Sequence, residues 1–122
     1  MRDNNIMKTT LHTINDERIL ELEHDGYILK DAQDLLDIIG SYSVRTIILK
    51  KENIIPEFFD LKTKVAGEIL QKASNYGLKI GIIGDFTSIK SKSLRDFIYE
   101  SNKTKQVIFK ETIEEILKIF GN

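Results

Sequence analysis

Along residues 79–102, KIGIIGDFTSIKSKSLRDFIYESN, an apolar run gives way to a polar turn and then to apolar positions at helical spacing. Ile80, Ile82 and Ile83, interrupted only by Gly81 and closed by Gly84-Asp85, read as a buried strand that needs cover on both faces. Ser93 stands three residues ahead of Asp96 in a capping-box pattern, and Leu94, Phe97 and Ile98 recur with the helical period. With Ser101 they make one stripe, which turns Arg95, Asp96 and Tyr99 outward and leaves Ser91 or Ser93 to cap the helix. Strand, turn and capped helix are half of a βαβ unit.

The same pattern extends in both directions. Residues 7–14 and 18–22 are β-prone runs separated by Asn15-Asp16-Glu17, a break of hairpin length. His12 alternates with Lys8 and Thr10 and lies opposite Leu11, which puts it on the solvent-facing side of the first strand. Asp31 and Asp34 mark a helix start, Leu35, Leu36 and Ile39 its stripe, and Gly40 its expected end. Residues 44–49 form a second buried strand. Pro56 with Glu57 is expected to open the longest helix, with Phe58, Phe59, Leu61, Val65, Ala66 and Ile69 on its apolar side and Asn75-Tyr76-Gly77 as its stop. Gly67 costs such a helix about 1 kcal/mol against Ala, so it is expected to permit close approach to a strand. Residues 106–109 give a last strand, and Thr112 with Glu115 caps a helix carrying Ile113, Ile116, Leu117 and Phe120. The fold class is α/β: a single-domain mixed five-stranded sheet of order ββαβαβαβα, mostly parallel with an antiparallel first strand. Residues 1–6 are expected to form a disordered N-terminal tail.

At 122 residues the chain suits one domain spanning 1–122. The absence of cysteine excludes disulfides, thiolate metal sites and cysteine nucleophiles. His12 and His24 are isolated from each other and from further ligands, and His24-Asp25-Gly26 reads as a turn, so no metal, cofactor or catalytic residue is expected. No apolar run reaches the roughly 18 residues of a membrane helix and MRDNNIMKTT lacks a signal-peptide core, which makes a cytoplasmic location the expectation. Net charge is −1, but residues 1–40 carry 4 basic and 9 acidic groups (−5) and the remainder 14 and 10 (+4). That asymmetry either favours head-to-tail or heterotypic contacts or reflects solvated helix faces. Residues 90–105 hold 5 basic and 2 acidic groups, yet Phe97 and Tyr99 cannot share one charged helix face, so nucleic acid is not an expected partner.

Candidate chemistry gathers at the C-terminal ends of the strands, where open parallel sheets bind ligands. Lys50, Lys51, Glu52 and Asp85 could share that rim with Ser91, Ser93, Arg95 and Tyr99 of the following helix, whose N-terminus offers free amides to an anion. Strand ends also carry charge simply because they reach solvent, and Thr87, Ser88, Ser91 and Ser93 serve turns and caps equally well. Gly84-Asp85-Phe86 is not a phosphate loop, and two isolated histidines suggest no Ser-His-Asp arrangement. Phe58-Phe59 reads as a lid on the core rather than a stacking box.

Three stretches, ILKKENIIPEFFDLKTKVAGEILQK (48–72), KIGIIGDF (79–86) and SKSLRDFIYESNK (91–103), resemble the bacterial domain of unknown function 4180 family. In order of elements the chain is also similar to the STAS, or sporulation anti-sigma-factor-antagonist, fold, a βα superhelix used for protein interaction. STAS antagonists carry a phosphorylatable Ser at the start of the helix after the third strand. The corresponding connection here, KKENIIPE (50–57), has no Ser or Thr, so their phosphoswitch is not implied. The family resemblance supports the fold and leaves the activity open. A small STAS-like sheet with no evident catalytic group suits a protein-binding or regulatory module with a protein partner, and a sheet face or edge strand left uncovered by this topology leaves a homodimer open. The alternative is a small-molecule or anion-binding protein or enzyme using the rim around Asp85.

Overall fold

In the computed structural model, which describes residues 7–121, the apolar positions sort onto the two faces of one sheet. The tail expected over residues 1–6 lies outside the described residues. The elements are β1 (Lys8–Ile14), β2 (Glu17–Glu23), α1 (Ala32–Tyr42), β3 (Thr46–Lys50), α2 (Val65–Tyr76), β4 (Lys79–Ile83), α3 (Lys92–Thr104), β5 (Val107–Lys110) and α4 (Ile113–Phe120). This is the order ββαβαβαβα that the pattern predicts. The strands lie side by side in chain order, with β1 antiparallel to β2 and the other pairs parallel.

Three right-handed crossovers stepping in one direction must all lie on the same face of the sheet. Accordingly Leu35 and Ile38 of α1, Ala66, Ile69 and Ala73 of α2, and Leu94 and Ile98 of α3 share one core with Leu20, Ile47, Ile80 and Phe109. On the opposite face α4 alone lays Ile116 and Phe120 over Ile19, Ile48 and Ile108. Gly81 makes this second layer close. A Cβ there would sit 2.6 Å from Ile116 Cγ2, so any larger residue pushes α4 off the sheet.

Four local expectations are corrected. Helix α1 runs through exposed Gly40 and ends two residues later at Tyr42, where the C-cap Ser43, at φ 54°, reverses the chain. The helix expected from Pro56 is broken into 3₁₀ turns at Pro56–Phe59 and Leu61–Thr63 before α2 begins at Val65. Side-chain competition explains the break: the Thr63 hydroxyl donates to the carbonyls of Glu57 (2.6 Å) and Asp60 (2.8 Å), the Asp60 carboxylate accepts from Lys62 N, and Lys64 adopts φ 68°. The longest helix is therefore α3, with 13 residues. Gly67 faces solvent, and a Cβ added there would meet nothing within 4 Å, so it permits no close approach; Gly81 does. His12 is half-buried on the α4 side, its Nε2 3.0 Å from Glu21 Oε1, because the β2 carboxylate beside it gives the ring a partner.

Candidate functional site

The parallel strands end on one rim, where two loops are tied together by a residue whose place in KKENII gave no sign of it. Asn53 is 97% buried by the loop after β2 and the turn after β3, with 3% of its surface left exposed. Its Nδ2 donates to the carbonyls of His24 (2.8 Å) and Gly26 (3.0 Å), its Oδ1 accepts from Lys50 N (3.2 Å), and its own carbonyl accepts from Ile28 N and Leu29 N. Five hydrogen bonds on one residue thus fix the mouth of the sheet.

Around this latch the candidate residues fall into two groups. Lys50 and Ile83 are in register at the ends of β3 and β4. The strand alternation sends Lys50 to the α4 side, where its Nζ lies 3.8 Å from Glu23. Lys51 folds over the other side, its Nζ 5.9 Å and 5.6 Å from the ring centroids of Phe59 and Phe86, and approaches Asp85. The Asp85 carboxylate accepts from the Thr87 hydroxyl (2.6 Å) and from Thr87 N (2.9 Å). The Thr87 hydroxyl first, then its amide, hold this carboxyl below its ordinary pKa, with the charge of Lys51 adding to the effect. Glu52 is exposed. Asp85 is therefore occupied in ordering its own loop.

The second group lies along α3. Ser91, not Ser93, caps the helix by accepting from Leu94 N at 3.2 Å; Ser93 is exposed within the first turn, and Asp96 pairs with Lys92 at 2.8 Å instead of closing a capping box. Arg95 reaches back to donate to the carbonyls of Ile89 and Lys90, both at 2.9 Å. Tyr99 is 63% exposed, with Lys103 Nζ 4.4 Å from its ring centroid. At 1.5 Å per residue Tyr99 sits about 10 Å down the axis from the start of α3, away from the rim. Lys51 and Asp85 form a rim group, and Arg95 and Tyr99 form a helix face.

Elsewhere on the rim a crevice of about 480 Å³ opens between Tyr27, Ile55, Pro56, Glu57 and Asp60. Tyr27, half exposed at its edge, gave no periodic signal because it sits in a loop. Phe58 is buried and Phe59 half-buried, packed edge to face at 4.9 Å as parts of the core. Among the described residues no group of three or more His, Cys, Asp or Glu could hold a metal ion, and no helix is long and apolar enough to cross a membrane.

A family model described as "Domain of unknown function (DUF4180)" matches residues 14–119. No curated protein and no solved structure matches the chain.

Proposed function

The chain belongs to the DUF4180 family, whose description assigns no activity, and from the surfaces it presents we propose that it is a protein-binding, regulatory module of the cytoplasm. The observation that carries this reading is Tyr99, the most exposed of the large hydrophobic side chains described, standing on α3 beside Arg95 and Lys103 while Leu94 and Ile98 bury the opposite stripe. Tyrosine and arginine are the residue types most used as anchors in protein interfaces, and an unburied aromatic ring on a rigid helix loses little entropy on docking. The sequential strands with three helices on one face support the likeness to STAS interaction domains.

Sheet order equals chain order, so the charge asymmetry of the sequence becomes a separation in space. The hairpin and α1 lie at the acidic end, and α3 lies at the end where the remaining residues sum to +4. The partner fitted to α3 is accordingly an acidic protein surface. A rim site for an anion is less well supported, since Asp85 is engaged by Thr87 and the nearby crevice is lined by Glu57 and Asp60.

Affinity capture from native lysate with immobilised protein tests the proposal. A protein retained by the wild type should be lost from Tyr99→Ala and weakened by Arg95→Ala while both variants melt normally. Equal capture by Tyr99→Ala removes the α3 face from consideration. A thermal-shift screen with inorganic phosphate and nucleotides separates the anion reading, because a ligand at 100 times its Kd adds about 2.7 kcal/mol of stability and none is expected to.

A further inference from the structure

The two edges of the sheet are treated differently. At the β5 edge the outward backbone groups are taken by α3: the Ser101 hydroxyl donates to the Val107 carbonyl (2.6 Å), and the Asn102 side chain accepts from Phe109 N (2.7 Å) and donates to the Phe109 carbonyl (3.3 Å). Asn102 stands in for the next strand, which closes that edge to any other. The β1 edge has no such cover among the described residues, being the last strand of the sheet on its side.

Turn geometry fixes which groups β1 presents. Asn15 and Asp16, at φ 52° and 67°, make a two-residue turn in which both central residues are left-handed, so its flanking pair Ile14↔Glu17 is hydrogen-bonded across the hairpin. Hydrogen-bonded and open pairs alternate in an antiparallel ladder. The amides and carbonyls of Thr9, Leu11 and Thr13 therefore point away from β2 and out of the sheet. Residues 8–14 pair with 23–17 without a bulge, contain no proline, and carry a single fixed charge, Lys8, at one end. Leu11, at the centre, is 49% exposed. Edge strands are usually blunted by charge, proline or bulges, and β1 has only Lys8.

We propose that β1 is a self-pairing edge, through which two copies of this chain join antiparallel about a twofold axis at Leu11, extending two five-stranded sheets into one. The register follows from the symmetry. Leu11 faces Leu11 of the second copy, Thr9 faces Thr13, and Thr10 faces His12, so the three residues with outward backbone groups meet as hydrogen-bonded pairs. Opposed leucines and threonines are favourable cross-strand neighbours. The same arrangement sends the two Lys8 side chains to opposite ends of the shared ladder, about 20 Å apart, whereas parallel pairing in register would set them side by side. Head-to-tail pairing of β1 with β5 is blocked by Ser101 and Asn102. The acidic halves of both copies approach in this dimer, so the association is strengthened by salt, which screens that repulsion. It does not depend on the α3 face.

Sedimentation velocity of the full chain over a concentration series tests this. A small edge contact of this kind is expected to dissociate in the micromolar range, about 10 µM, and to tighten from 50 to 500 mM NaCl. Leu11→Lys and Leu11→Glu should each be folded monomers by circular dichroism, and mixing the two should restore the dimer, because residue 11 meets itself only in this register. A wild type that stays monomeric to about 500 µM overturns the proposal, as do folded Leu11→Lys dimers or failure of the mixture to associate. Association that weakens with salt and survives both variants would instead identify a head-to-tail contact, and would equally overturn it.

Discussion

Asn53 shows how one polar side chain replaces a longer stretch of regular structure. Its amide holds the His24 and Gly26 carbonyls, and its carbonyl oxygen the amide of Lys50, where no strand or helix could reach all three. Asn53→Ala leaves three backbone groups without these partners and should cost about 3 kcal/mol or more in urea denaturation. Asn53→Asp should be similarly costly, since it removes both donors and brings a charge into a buried site. Asp85 is a second such residue, but exposed. With its pKa held down in the folded state, it contributes stability that is present above its unfolded value and lost as pH falls through the depressed folded one. Thr87→Val removes the strongest donor, so carboxyl carbon NMR should find Asp85 titrating at higher pH in that variant. An unchanged titration would show that the hydroxyl contributes nothing.

Elements defined by long apolar periodicity were legible in the sequence, and those decided by side-chain competition were not. The caps of α4 and the strand of β4 follow from residues near in sequence, and Thr112 accepts from Glu115 N as expected. The break before α2 depends on Thr63 bonding back to Glu57 and Asp60, and an apolar stripe running through Phe58, Leu61 and Val65 hides it. The glycines divide on the same ground, because nothing in a sequence tells open space from a neighbouring helix. Gly67→Ala should stabilise by about 0.5–1 kcal/mol, having room and a gain in helix propensity. Gly81→Ala should destabilise, by about 1–3 kcal/mol, as Ile116 is forced away. On α3 the contrast is between faces: Tyr99→Ala should stay within about 0.5 kcal/mol of wild type. Phe97→Ala should cost about 2 kcal/mol, below the usual range for a fully buried ring because Phe97 is half-buried beside Phe109. Melting of the variants checks each.

At the scale of the whole molecule, sequential strand order turns linear features into spatial ones. The candidate residues that the sequence reading placed on one rim divide between the rim and the α3 face, and the latch at Asn53, the Asn102 side chain against β5 and the crevice beside Tyr27 come from contacts distant in sequence. The acidic hairpin and the α3 end, where residues 90–105 sum to +3, stand at opposite ends of the sheet, one edge is closed, and an aromatic ring is left uncovered on the closed side. These features are the grounds for proposing α3 as the face for a partner. Its most direct test is photo-crosslinking in cells from a photoreactive amino acid placed at position 99, with the same group at exposed Glu68 on α2 as control. A discrete adduct with one acidic protein from position 99, absent from position 68, is the expected result. No adduct from position 99, or the same adducts from both positions, would contradict a role for α3 in binding.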